Sequence, residues 1–98
     1  MEYELVFSER SEADTKAAVD YYDQINPSLG ERFFIELLET YQKVSVAPQY
    51  YSFISSVRSS KIRDVKLSSF PYVVVYEVRE SLVYIIAVMN CHQKPLFS

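Results

Sequence analysis

Tyr72-Val73-Val74-Val75-Tyr76-Glu77-Val78, then Arg79-Glu80-Ser81, then Leu82-Val83-Tyr84-Ile85-Ile86-Ala87-Val88-Met89 is the stretch that decides how this chain folds. Two nearly continuous runs of β-branched and aromatic residues flank a short polar break, a pattern that predicts a β-hairpin with a tight turn. Strands that are apolar on both alternating faces belong inside a sheet, so these are expected to be its central strands. In the second run Val83, Ile85, Ala87 and Met89 share one face, aliphatic enough to lie under helices. Leu82, Tyr84, Ile86, Val88 and Asn90 share the other, which ends polar.

Upstream, Ile62 to Leu67 alternates, with Arg63, Val65 and Leu67 on one side and Ile62, Asp64 and Lys66 on the other, and reads as a further strand. Residues 48–60 carry serines, Tyr50 and Tyr51 with no clear period and read as a loop or short irregular strand. Before Pro48 the period is helical. Leu29, Phe33, Leu37, Tyr41 and Val44 make an apolar stripe, widened by Phe34 and Leu38, and Ser28-Leu29-Gly30-Glu31 reads as the capping box that opens that helix. An earlier helix carries Ala17, Ala18, Tyr21, Tyr22 and Ile25, with cap residues Ser8 and Ser11, Asp14 three positions beyond, and an end near Asn26-Pro27. Glu2 to Phe7 is rich in strand formers and supplies the first strand. The predicted order is β-α-α-β-β-β. This is an α+β domain over residues 1–98 whose antiparallel-rich sheet is covered on one face by a helical hairpin.

With 49% hydrophobic and 23% charged residues, the chain can bury a core and is not disordered. Cys91 is the only cysteine, which excludes an intramolecular disulfide, and Met1-Glu2-Tyr3-Glu4 does not open like a signal peptide. A reducing cytoplasm is the expected location. The longest apolar run, Leu82 to Met89, is far short of the about 20 residues a membrane helix needs. The net charge of −3 hides an asymmetry: residues 1–47 hold four basic and ten acidic side chains, net −6, and residues 48–98 hold six and three, net +3. An anionic partner is expected at the second half.

The basic cluster there is Arg58, Lys61, Arg63 and Lys66, interrupted by Asp64. Such groups on a strand can bind phosphate or carboxylate through charge-assisted hydrogen bonds, and taken alone more often form a solvated strand face. Asn90-Cys91-His92-Gln93-Lys94 gathers polar groups at the end of a central strand, where sites are common. One cysteine and one histidine cannot complete a zinc shell, so no metal site is expected. Gly30 is the only glycine, which removes phosphate-binding glycine loops, and no cofactor is implied.

Several segments together point to a family. They are the helix containing Ala17-Ala18-Val19-Asp20-Tyr21-Tyr22, the helix start Asn26-Pro27-Ser28-Leu29-Gly30-Glu31-Arg32-Phe33, the helix end Ala47-Pro48, Arg63 seven positions before Phe70-Pro71-Tyr72, and the ending Ala87-Val88-Met89-Asn90-Cys91-His92-Gln93-Lys94-Pro95. In this order and spacing the chain resembles the RelE/ParE superfamily of bacterial type II toxin–antitoxin systems, nearer its ParE-like branch, which serves in plasmid stabilization. The resemblance implies a toxin neutralised by a cognate antitoxin within a hetero-oligomer. ParE-like members inhibit DNA gyrase by binding it. RelE-like members cleave mRNA on the ribosome, which makes a ribonuclease the alternative, and a non-toxic interaction module is a third reading.

Arg63 matches the arginine that precedes the Phe-Pro-Tyr strand in relatives. Asn90 stands where relatives carry histidine, and Gln93 where they carry arginine. An amide cannot carry a proton near neutral pH and cannot neutralise a phosphate, so both departures turn the expectation from RNA cleavage toward binding. The candidate target-binding residues are Arg58, Lys61, Arg63, Lys66, Asn90, His92, Gln93 and Lys94.

Overall fold

The computed structural model describes residues 2–51 and 61–91. Its elements are β1 (Glu4–Phe7), α1 (Glu9–Ile25), α2 (Pro27–Val46), a 3-10 turn (Pro48–Tyr50), β2 (Ile62–Lys66), β3 (Tyr72–Arg79) and β4 (Leu82–Asn90). They form one sheet of order β1-β4-β3-β2, in which β1 runs parallel to β4 and the other neighbours are antiparallel. The two continuous apolar runs are therefore the two interior strands, as their burial on both faces requires.

The hairpin turn is Glu80-Ser81, between the paired Arg79 and Leu82. Glu80 has φ of 55°, the only positive φ outside glycine among the described residues. A Cβ in that region costs about 1 kcal/mol, and glycine avoids it. Glu80→Gly is expected to stabilise the protein by about 0.5–1 kcal/mol, read as a rise in the urea midpoint at unchanged slope. A fall would show that contacts of the Glu80 side chain outweigh its backbone strain.

Val75 pairs with Ala87 and Tyr76 with Ile85, so Ile86 is an extra residue in β4 and makes a β-bulge. One extra residue reverses the facing of all that follow. Val83 and Ile85 lie under the helices as expected, but beyond the bulge Val88 joins that core. Ala87 and Met89 instead pack with Val75, Ile62 and Val73 in a second cluster on the sheet's other face. The expected facing is thus correct before Ile86 and inverted after it.

The start of α1 secures the bulge. Ser8 Oγ accepts from Ser11 N at 3.0 Å, which makes Ser8 the N-cap, and donates to Ile86 O at 2.7 Å. Ser11 is not a cap: it sits buried in the first turn and returns its hydroxyl to Ser8 O. Asp14 is not a capping partner either. Its carboxylate accepts from Val88 N at 3.0 Å, at a point on β4 beyond the end of β1.

α2 begins earlier than the capping box predicts. Asn26 is its N-cap, with Oδ1 accepting from both Ser28 N and Ser28 Oγ at 2.9 Å, and Pro27 occupies the first turn. Proline pre-sets the helical φ there, so the cap falls one residue before it rather than at Ser28. Asn26 N also donates to Tyr22 O, closing α1, so one residue ends one helix and starts the next.

The hairpin buries Ser11, Ala18 and Tyr22 from α1 and Gly30, Phe33, Leu37, Thr40, Tyr41, Val44 and Ser45 from α2. Ala17, Tyr21 and Ile25, expected in the stripe, are exposed, and so are Phe34 and Leu38. The sheet accepts a narrower face of each helix than the apolar pattern spans. Gly30 marks the helix crossing, where a Cβ would meet the Asp23 carboxylate and approach Val19 O at 3.2 Å. Tyr22, Phe33, Phe70 and Tyr72 form an aromatic cluster beneath the hairpin, with Phe33 fully buried and its ring 5.4, 5.2 and 5.1 Å from those of Tyr22, Phe70 and Tyr72.

Candidate functional site

Within the basic cluster, Arg63 and Lys66 lie on opposite faces of the sheet, as the alternation along β2 predicts. Arg63 pairs with Tyr76, whose side chain belongs to the helix-side core, whereas Lys66 pairs with Val73 and lies on the opposite face. Lys61 is exposed just before β2. Antiparallel pairing brings Lys66 to the end of the sheet where Tyr72 pairs with Asn90, and alternation from Val88 puts Asn90 on the helix side. Cys91 follows there, exposed, its N–H donating to Pro71 O at 2.7 Å. Arg58, His92, Gln93 and Lys94 lie outside the described residues. Lys66 and Asn90 therefore share one end of the sheet on opposite faces, and Arg63 stands about 10 Å away along β2.

Arg63 is half-buried and its Nη1 donates to Tyr51 O at 2.6 Å and Gln49 O at 3.2 Å. Beside it the fully buried Tyr76 donates its hydroxyl to Pro48 O at 2.6 Å. Helix and turn ends leave carbonyls without partners, and here two side chains of neighbouring strands satisfy those of the 3-10 turn. Burial pushes the Tyr76 phenol well above its usual range, and the positive charge of Arg63 opposes part of that shift. The Asp64 carboxyl is raised by desolvation. Arg79 ion-pairs with Glu77 at 2.9 Å and lies over the Tyr84 ring at 4.6 Å. Among the described residues no group of three or more His, Cys, Asp or Glu side chains is placed to hold a metal ion.

A second feature escaped the sequence reading. Phe7, Phe34 and Leu38, with 40, 44 and 49% of their surface exposed, stand around a groove of about 300 Å³ between α1 and α2, floored by Ser11, Thr15 and Tyr41 and rimmed by Glu12. The Phe7 ring meets that of Tyr41 edge-on at 5.1 Å. Burial, only partly offset by a hydrogen bond with Thr15, pushes the Tyr41 phenol up to about 12. The signal for this groove is present in the sequence as an apolar stripe too wide for one packed face, with Phe34 and Leu38 the positions that widen it.

The family described as "ParE toxin of type II toxin-antitoxin system, parDE" matches residues 5–95, and the chain belongs to that family: it is the toxin component of a type II toxin–antitoxin system. Among solved structures it is similar to one titled "Chromosomal ParDE TA system from P. aeruginosa", with a TM-score of 0.76 at 16% identity, over 90% of this chain and 95% of that one. At that identity the likeness concerns the fold. No curated protein matches the sequence. Among the described residues no helix is long and apolar enough to cross a membrane.

Proposed function

We propose that this ParE-family toxin arrests growth by binding its target, DNA gyrase, in the cytoplasm, and that a cognate antitoxin holds it inactive in a hetero-oligomer. The antitoxin reading is supported by the family match and by the similar structure, whose title names a ParDE system. The observation that carries binding over cutting is Asn90. It occupies the helix-side strand end beside Tyr72, where an RNA-cleaving relative would place histidine, and an amide transfers no proton near neutral pH. Arg63 weighs against cutting, because its Nη1 is hydrogen-bonded to the carbonyls of Gln49 and Tyr51 and so holds the scaffold rather than an RNA phosphate.

Induced expression of the chain alone is expected to arrest bacterial growth, and co-expression of the antitoxin to restore it. Purified toxin should inhibit gyrase supercoiling while mRNA in arrested cells stays intact. Ribosome-dependent cleavage of mRNA would replace this reading with the ribonuclease one. Normal growth with soluble toxin present would leave an inert interaction module.

A further inference from the structure

We infer that Ser8 and Asp14 of α1 are positioning residues that select one of two registers for the second half of β4, and so decide that Asn90, and not Met89, stands beside Tyr72 at the strand end. The inference rests on the reading that this strand end meets the target, and adds the residues that set it.

Two registers compete because both satisfy the apolar pattern. In the structure Ile86 is the extra residue, Ala87 pairs with Val75 and Asn90 with Tyr72. A ladder without the bulge would run on from the Tyr76–Ile85 pair and place Ile86 opposite Val75 and Met89 opposite Tyr72. Its helix-side residues would be Ala87 and Met89 in place of Val88. A one-residue slip ordinarily carries the apolar set to the wrong face, and that cost forbids it. Here residues 82–89 are apolar on both faces, so burial hardly distinguishes the registers.

Backbone hydrogen bonds do distinguish them. Ile85 O points to the β1 edge, where it accepts from Ser8 N at 3.0 Å. Alternation without a bulge would turn the N–H groups of Ala87 and Met89 to that edge and the N–H of Val88 toward β3. Only the bulged register aims Val88 N at α1, and there the Asp14 carboxylate accepts from it at 3.0 Å. Ser8 Oγ adds a second tie on the extra residue itself, donating to Ile86 O at 2.7 Å. The pairing of β1 ends at Phe7 and Ile85, so α1 takes over the edge of β4 where the strand leaves it. A carboxylate acceptor makes the stronger, charge-assisted kind of bond, and Arg10 Nε lies 3.4 Å from the same Asp14 oxygen.

The register fixes what the strand end offers a partner. In the bulged register Asn90 presents an amide, with two donors and an acceptor, on the side of Tyr72. In the slipped one a thioether, a weak acceptor only, takes that place, and Asn90 passes beyond the start of β3 to lie opposite Pro71.

The test reads register from nuclear Overhauser contacts of the Tyr72 α-proton in the isotopically labelled full chain. Tyr72 O accepts from Leu67 N on the β2 side, so Tyr72 and its β4 partner form the close, non-hydrogen-bonded kind of pair. Wild-type protein is expected to show the contact to Asn90 alone. Ser8→Gly with Asp14→Ala removes both ties and keeps a residue that tolerates the cap position. A contact to Met89 is expected to replace that to Asn90 in most molecules, and gyrase inhibition to weaken about tenfold when about nine in ten have slipped, since apparent affinity falls with the competent fraction. Asp14→Asn, whose amide oxygen still accepts from Val88 N, is expected to keep the Asn90 contact and the inhibition. Deleting Ile86 from the double variant takes out the extra residue, so a regular ladder now places Asn90 opposite Tyr72; contact and inhibition are both expected to return. Thr40→Ala, which removes a buried hydroxyl bonded to Glu36 O within α2, is expected to lower the unfolding midpoint and leave inhibition per folded molecule unchanged.

An Asn90 contact alone in the folded double variant overturns the inference, as does a slipped register with undiminished inhibition, or a deletion that restores neither readout. If the double variant does not fold, the deletion decides, since it must then restore folding and the Asn90 contact together. The functional reading fails separately. Wild-type protein that neither inhibits gyrase nor arrests growth sinks that reading, while the register contacts, read without gyrase, still decide the inference.

Discussion

Phe33→Ala is expected to remove about 3–5 kcal/mol of folding stability, the largest effect of any single substitution considered for this protein. Phe33 is fully buried and its ring sits within 5.5 Å of three other aromatic rings, those of Tyr22, Phe70 and Tyr72. Those partners come from α1, from the segment before β3 and from β3 itself, so the ring joins both helices to the sheet. Its removal deletes the transfer free energy of the ring and leaves a void that three rigid neighbours fill poorly. Edge-on contacts with two of them contribute about 0.5–1.5 kcal/mol each beyond burial. A domain of this size has about 5–15 kcal/mol in total, so the variant is expected near the edge of folding, with its thermal midpoint lowered by more than about 10 °C. Phe33→Leu fills much of the space and should lose less than half as much. A loss under about 1 kcal/mol in urea unfolding would mean that the cluster collapses into the vacated volume, and would remove Phe33 as the centre of the core.

Arg63→Ala is expected to cost about 2 kcal/mol, because hydrogen bonds from a charged donor contribute about 1.5–3 kcal/mol and two backbone carbonyls lose theirs together. Arg63→Lys keeps the charge without the planar donor group and should recover part of the loss. Gyrase inhibition per folded molecule is expected to persist in both, since the guanidinium acts by positioning the 3-10 turn against β2 and β3. An unchanged unfolding midpoint together with lost inhibition would place Arg63 at the target interface instead. The two outcomes separate a residue that holds the scaffold from one that touches the partner.

The position of Arg63 shows how far local pattern reaches. Alternation put it with Val65 and Leu67 and apart from Lys66, and the sheet keeps that division. Its hydrogen-bond partners, 12 and 14 residues earlier in the chain, lie across a loop with no periodicity, so no spacing rule points to them. Asn90 was legible by its place at the end of an apolar run. Its side of the sheet was not, because the bulge at Ile86 reverses the facing of everything after it. The groove was hidden for a related reason: Phe34 and Leu38 continue an apolar stripe, and nothing along α2 says how much of that stripe the sheet will cover.

Properties that depend on neighbours within about one turn or one strand were determined by sequence alone: which segments are helix or strand, that Pro48 bounds α2, and that the runs from Tyr72 and Leu82 are interior strands. Tertiary structure decided the rest. Ile86 bulges where β4 leaves the end of β1 and meets Ser8 and Asp14 of the first helix. Arg63 is drawn inward by the carbonyls of Gln49 and Tyr51, in and just after the 3-10 turn, and Phe34 and Leu38 stay outside because Phe33, Leu37 and Tyr41 already occupy the buried face. Each of these outcomes is a competition between groups far apart in the chain, settled by which of them can satisfy a buried hydrogen bond or fill a volume, and periodicity along one element carries no record of the competitor.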